Sequence, residues 1–212
     1  MSQIKSKKAL ELVLGKLNGF QKAKVRDEQY ITPSDIAAEV LWKAYFNGDI
    51  EDKVIVDLGA GTGILGIGCL ILGAKKVIFV DKDKEVLEIC KENLEKIESE
   101  GFEINEWQIM ENDIGKVDLI VDSVIMNPPF GTKQKHADKD FLMKAFEISN
   151  VTYSFHKTST KEYIIQQAEK NKFDLKERFD FKFMLRNTMA HHKKGKEYIE
   201  VSCFDFEKIE KK

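Results

Sequence analysis

Cysteine is scarce: the 212 residues hold only Cys69, Cys90 and Cys203, far apart and without a C-x-x-C pair. That spacing argues against a disulfide framework or a cysteine zinc site, and it suits a reducing, cytoplasmic setting. The three thiols read as small buried apolar side chains. Long apolar runs are missing too; with no stretch of about 18 apolar residues, no transmembrane helix is expected. The apolar segment within residues 1–17 is broken by Glu11, Gly15 and Lys16, so it reads as an amphipathic helix rather than a secretion signal. Proline occurs three times, and there is no repeat, low-complexity linker or composition break. A single domain over residues 1–212 is the expectation, with residues 1–50 as a helical extension.

Charge of neither sign dominates, the net value being −2, which neither requires nor excludes a nucleic-acid partner. The distribution says more. Asp83 to Glu111 carries ten acids against three lysines, whereas Phe181 to Lys196 carries five basic residues and no acid. One face can meet phosphate and another would repel it.

Short apolar runs alternate with helical patterns. Val54 to Val56 and Val77 to Val80 look like strands buried on both faces. Ile64 to Leu72 suits a short packed helix and Lys84 to Ser99 a longer amphipathic one. Further strands are expected at Ile104 to Met110, Ser123 to Met126 and Val151 to Phe155, with helices at Asp138 to Asn150 and Ser159 to Asn171. Two late β-like stretches run near Leu175 to Leu185 and Glu197 to Phe206. The pattern predicts an α/β, doubly wound, mostly parallel seven-stranded sheet whose last hairpin is antiparallel.

The stretch Val54 to Gly63 is a strand entering a glycine-rich turn and then a helix, with Asp57, Gly59, Gly61 and Gly63 in the pattern D-L-G-x-G-x-G. Such glycines permit positive φ and let a ligand lie on the backbone. Asp81 closes the next strand 22 residues after Gly59, placed to accept both hydroxyls of an adenosine ribose. Gly61, Gly63 and Gly66 also satisfy G-x-G-x-x-G, the dinucleotide pattern, but three glycines at that spacing arise easily. A carboxylate such as Asp57 beside a pyrophosphate is repelled by it. S-adenosylmethionine carries no phosphate, and its amino and sulfonium groups suit an anion, so the methyl donor is the favoured cofactor. The D-L-G-x-G-x-G pattern resembles the first motif of class I methyltransferases, and that resemblance implies Asp113, after the third strand, as acceptor for the adenine amino group, with the Ile114 amide beside it.

Two of the three prolines are adjacent in Asn127-Pro128-Pro129-Phe130, at a strand end where proline can stand. They stiffen the turn, so that the Asn127 side-chain carbonyl and the Pro128 backbone carbonyl converge on one point. Two convergent acceptors suit an NH2 on an aromatic ring or a carbonyl. Its delocalised lone pair makes it a poor nucleophile, and hydrogen bonds to both hydrogens stabilise the positive charge that grows in the transition state. Phe130 is expected to stack on the planar acceptor.

The segments N-P-P-F-G-T-K (Asn127 to Lys133), D-x-x-F-L (Asp138 to Leu142) and Y-S-x-H-K-x-S-T (Tyr153 to Thr160) resemble the methyltransferase-like protein 5 family. L-N-G-F (Leu17 to Phe20) and E-Q-Y-x-T (Glu28 to Thr32) are similar as well. The resemblance spans nearly the whole chain. It implies a Rossmann-like class I methyltransferase fold and transfer to the N6 amino group of an adenosine in small-subunit ribosomal RNA. It implies that Gln29 and Thr32 close over the cofactor, with further contacts at Gly59, Thr62, Ile64, Asp81, Asp113 and Ile114. It also implies a small zinc-ribbon activator at the third-strand edge, where Ile104, Trp107 and Ile109 place apolar side chains. Ile31 and Thr62 depart from the proline and cysteine common in eukaryotic members, and the loop Gln134 to Ala137 differs.

Basic groups near the motif (Lys133, Lys135, His136, Lys157), joined by His191, His192, Lys193 and Lys194, are candidates to hold phosphates beside a base lifted from its stack. The His191-His192 pair alone is no metal site. Two other readings stay open. A glutamine amide in a protein, as in release factors, presents the same two hydrogens, although that class usually carries tyrosine at the position of Phe130. A non-catalytic ribosome-assembly factor keeping the fold is the other, with a nicotinamide oxidoreductase further off.

Overall fold

Two runs, apolar except for Asp57 and the ends of the second, make the centre of one sheet. β1 (Val54–Leu58) and β2 (Lys76–Asp81) are parallel, Ile55 opposite Val77 and Leu58 opposite Val80. Residues 55–58 and 77–80 are all buried, which requires cover on both faces. A computed structural model shows that cover; it describes residues 4–20, 32–130, 137–185 and 197–209.

The remaining strands are β3 (Glu106–Glu111), β4 (Val121–Met126), β5 (Ser149–Lys157), β6 (Phe173–Leu185) and β7 (Glu197–Lys208). They form a seven-stranded sheet in the order β3-β2-β1-β4-β5-β7-β6. β1 to β5 pair in parallel, and β7 lies antiparallel to both β5 and β6. The expected doubly wound sheet with its antiparallel hairpin is the architecture found.

Alternate side chains feed two cores. Ile55, Val77 and Phe79 face α1 (Lys7–Leu14), α2 (Ser34–Asn47), α3 (Ile64–Ile71) and α4 (Lys84–Ser99), whose apolar stripes supply Leu14, Leu41, Ile67 and Leu94. Val56, Ile78 and Val80 face α5 (Ala137–Ile148) and α6 (Lys161–Lys170) through Leu142, Phe146 and Ile164. The period of two in the strands meets the period of 3.6 in the helices. Helix starts follow local chemistry: Ser6 accepts a hydrogen bond from the Ala9 amide, and Asp83 from the Glu85 amide, each satisfying a donor that the first turn leaves open.

Boundaries moved where punctuation was weak. The helix expected to reach Asn150 ends at Ile148, and β5 starts at the next residue. The third strand begins at Glu106 rather than Ile104. A short 3-10 turn, Thr158–Thr160, takes the first residues of the last expected helix. All three cysteines are buried and free. Among the described residues, no helix is long and apolar enough to cross a membrane.

Strand order reverses at β1, with β2 on one side and β4 on the other. The loops leaving β1 and β4 therefore part, and a crevice opens at their carboxyl ends. Gly59 to Gly63 and Asn127 to Phe130 are those two loops.

Candidate active site

The turn after β1 folds over the end of β2. The Gly59 and Ala60 amides both donate to the Val80 carbonyl, at 2.8 and 2.9 Å. Gly59 has φ +75°, and a Cβ there would lie 2.7 Å from the Phe141 ring of α5. Backbone sign and side-chain space both demand glycine. Gly66, in the first turn of α3, is needed for space alone, since a Cβ would come within 2.4 Å of Phe79.

Two carboxylates hold this turn. Asp57 is buried, and its Oδ2 accepts from the Gly66 amide at 2.8 Å. Burial pushes its carboxyl up to about 8; the Gly66 hydrogen bond opposes the rise and the negative Asp81 adds to it. Asp81 accepts from the Gly61 amide on Oδ2 and from the Asp83 amide on Oδ1, both at 2.9 Å. Burial raises its carboxyl as well, against those backbone donors. The Lys82 amide is a third backbone donor, and since each carboxylate oxygen can accept twice, Asp81 retains capacity for a ligand hydroxyl.

Between the two loops lies a cavity of about 480 Å³. Thr32, Asp57, Gly59, Gly61, Thr62, Ile64, Asp81, Asp113 and Ile114 all line it. Every described residue expected to contact the cofactor is thus on one wall or another of the same space. Asp113 also caps the short 3-10 turn Ile114–Lys116, its Oδ1 accepting from the Gly115 amide at 2.9 Å. Gln29 lies outside the described residues. The lining includes six acids (Asp57, Asp81, Asp83, Asp113, Asp140, Glu147) and two lysines, Lys82 and Lys144. Such a wall repels a pyrophosphate and suits a cationic, phosphate-free nucleoside.

Asn127 and Pro129 line the same cavity. The Asn127 Nδ2 donates to the Thr32 hydroxyl at 2.9 Å, while its Oδ1 is buried and finds no partner among the described residues. Pro128 is buried beside them. Phe130 departs from expectation. Instead of facing an acceptor it is 7% exposed, packed in the core and edge-on to Phe183 of β6 at 6.5 Å. Burying a phenyl ring is worth about 1.5–3 kcal/mol over exposing it, and Phe183 supplies the cover.

Other residues were not foreseen. Phe20 forms part of the wall, its ring 3.2 Å from where a Gly61 Cβ would stand. α5 contributes Asp140, Phe141, Lys144 and Glu147. Lys144 is held by the Val117 carbonyl at 3.1 Å and by Glu147 at 2.9 Å. The D-x-x-F-L segment, noted only for its resemblance, was the available signal for Phe141.

Of the candidate RNA-binding residues, Lys157 is half-buried at the end of β5 and is not in the cavity wall. Lys133, Lys135, His136, His191, His192, Lys193 and Lys194 lie outside the described residues. His156 is a core histidine: buried, its Nε2 2.6 Å from the Ser154 hydroxyl, and its Nδ1 3.8 Å from Asp138 Oδ2. Burial lowers its pKa although Asp138 opposes this, so the ring is neutral near pH 7.

A family model described as Conserved hypothetical protein 95 matches residues 34–178. The rRNA N(6)-adenosine-methyltransferase METTL5 of Danio rerio is 33% identical, covering 94% of this chain and 97% of its own. The chain belongs to the methyltransferase-like protein 5 family. An uncharacterized protein of Methanocaldococcus jannaschii is 35% identical over 96% of this chain and 94% of its own. A solved Pyrococcus horikoshii structure, provisionally described as an RNA methyltransferase, shares 43% identity with a TM-score of 0.85, covering 96% and 98% of the two chains. The family's fold is the Rossmann-like class I methyltransferase fold, and the sheet order above is the one found here.

Proposed function

We propose that the protein transfers a methyl group from S-adenosylmethionine to the exocyclic N6 amino group of an adenosine in small-subunit ribosomal RNA. One observation carries this reading: the buried Oδ1 of Asn127 in a cavity-lining turn, unpartnered among the described residues. A buried acceptor without a donor costs about 1–3 kcal/mol, and a planar amine supplies the missing donor. The naming of the Danio rerio relative agrees with it.

Bound in the acid-lined cavity, S-adenosylmethionine supplies a methyl carbon made electrophilic by its sulfonium. Asp81 receives the ribose hydroxyls on its remaining lone pairs. Asp57 faces the cationic end, where a carboxyl poised at about 8 ionises more readily once positive charge arrives. Asp113 and the Ile114 amide take the adenine edge of the cofactor. Asn127 Oδ1 and the Pro128 carbonyl accept the two hydrogens of the substrate amine. As the new N–C bond forms and the C–S bond breaks, the electron pair goes to sulfur, and these acceptors stabilise the positive nitrogen until its proton leaves to water. No base is required before transfer.

An adenine reaches this turn only after leaving its stack, which costs a few kcal/mol least heavily in single-stranded RNA. Lys157 and the basic residues around 133–136 and 191–194 hold the flanking phosphates. β3 is one sheet edge, and its Trp107 and Ile109, with Ile104 just before it, are half-buried against the core. The edge backbone beside them is the place for a strand from an activator partner. The work is cytoplasmic, a setting that the three free cysteines suit.

The test is transfer of labelled methyl to ribosomal RNA that lacks the modification, with a release factor as control. Label on one adenosine at N6 supports the proposal. Label on the protein control alone, or none on RNA, defeats it.

A further inference from the structure

The Asn127 amide has two ends of nearly equal size and opposite chemistry. One turned towards an amine attracts it; the other, an NH2 group, repels it. Sterics discriminate weakly between the two orientations, and a hydroxyl can accept from one end or donate to the other, so the choice rests on the role the neighbouring hydroxyl takes. In this structure the Nδ2 end meets the Thr32 hydroxyl, which accepts its hydrogen bond at 2.9 Å. The Oδ1 end is left unpaired among the described residues.

Thr32 is 95 residues away in sequence, and its place is well determined. It is 3% exposed, directly before Pro33, which restricts its backbone to extended conformations. Pro33 in turn accepts the Ala37 amide at 2.8 Å and opens α2. α2 packs on α1 and α3 through Ile36, Val40 and Leu41, all in the core. The hydroxyl is therefore anchored by the helical layer, while Asn127 is anchored by β4.

We infer that Thr32 is a positioning residue for the methyl transfer: its hydroxyl holds the NH2 end of Asn127, so that Oδ1 is kept for the substrate amine. The inference rests on the function proposed above. It assigns Thr32 to the acceptor side of the site, whereas family resemblance alone puts it over the cofactor. A valine at position 32 keeps the shape and buries comfortably but offers no acceptor; a serine keeps the acceptor and loses a methyl.

The experiment compares Thr32→Val and Thr32→Ser with the wild-type full chain. Single-turnover methyl transfer gives the rate, titration gives S-adenosylhomocysteine affinity, and NMR gives the Asn127 side-chain NH2 signals, identified by their loss in Asn127→Ala. Thr32→Val should lower kcat about tenfold, the scale of one lost hydrogen bond. Thr32→Ser should stay within about threefold of wild type, and because Thr32 also lines the cofactor cavity, the discriminating result is a kcat loss in Thr32→Val larger than any loss of cofactor affinity. The Asn127 NH2 resonances should shift, with faster exchange, in Thr32→Val alone. Unchanged kcat in Thr32→Val, equal losses in both variants, or a loss confined to cofactor affinity would overturn the inference. If wild type methylates no RNA, the proposed function fails; the NMR comparison still decides whether Thr32 holds the amide.

Discussion

The Gly66 amide donates to Asp57 Oδ2 at 2.8 Å, tying the acid at the end of β1 to the first turn of α3. That one hydrogen bond does not offset the burial of Asp57, whose carboxyl rises to about 8. Below that pH the side chain is mainly neutral, and a cationic cofactor must displace a proton to gain a charged partner. S-adenosylmethionine affinity should therefore increase as pH rises from 6 to 9. Calorimetry near pH 7 in buffers of different ionisation heat should detect proton release on binding. Asp57→Asn should abolish both effects and weaken binding; a pH-independent affinity in the wild type would contradict this account.

The same contact makes Gly66 sensitive. Alanine there gains up to about 1 kcal/mol of helix propensity. Its Cβ, however, would meet the Phe79 ring at 2.4 Å and Asp57 Oδ2 at 3.0 Å. Phe79 is completely buried and has nowhere to retreat, so overpacking of about 1–3 kcal/mol outweighs the gain. Gly66→Ala should unfold at lower temperature, by a few degrees for each kcal/mol lost in a domain of this size. A Tm equal to or above that of the wild type would show that the ring can move.

Asn127→Ala removes the acceptor and leaves the glycine turn and both its carboxylates in place. The methyl-transfer rate should fall about 10²–10³-fold, the cost of losing one preorganised hydrogen-bonding group. S-adenosylhomocysteine affinity should change little. Retention of more than about a tenth of the rate, under roughly 1.4 kcal/mol, would remove Asn127 from the reaction.

How legible these features were depended on whether their cause is local. Val54 to Val56 and Val77 to Val80 announce themselves because burial on both faces demands apolar runs. Asp57, Gly59 and Asp81 were legible because turn geometry and charge dictate their types. The α5–β5 junction was not, since helix passes into strand between Ile148 and Ser149 without a glycine or proline to mark it. Phe130 misled because its environment is made by Phe183, 53 residues further on. The hydrogen bond from Asn127 to Thr32 is likewise non-local. The wall built from Phe141 and Lys144 needed the packing of α5 across β4 and β5 before it existed at all.

A second buried acid predicts how the fold itself responds to pH. Asp205 of β7 is 3% exposed; burial and the nearby Asp49 carboxyl push it up to about 7, with Tyr153 opposing and Glu177 and Glu207 adding to the rise. Asp49 is raised too, mainly by burial, although the Tyr153 hydroxyl donates to it at 2.7 Å. The unfolded chain releases these protons near pH 4, so between about 4 and 7 the folded state holds more protons than the unfolded one. The stability these acids contribute must then fall as pH rises through that window, with Asp57 extending the decline to about 8. The contribution is fully present below pH 4 and gone above the folded values. Asp205→Asn stays neutral throughout, and its oxygen can still accept from Asn47, now 3.4 Å from Asp205 Oδ2. Its urea midpoint should lose less between pH 5 and pH 8 than that of the wild type, leaving the variant relatively more stable at pH 8. Parallel pH profiles for the two proteins would show that Asp205 does not titrate in this range.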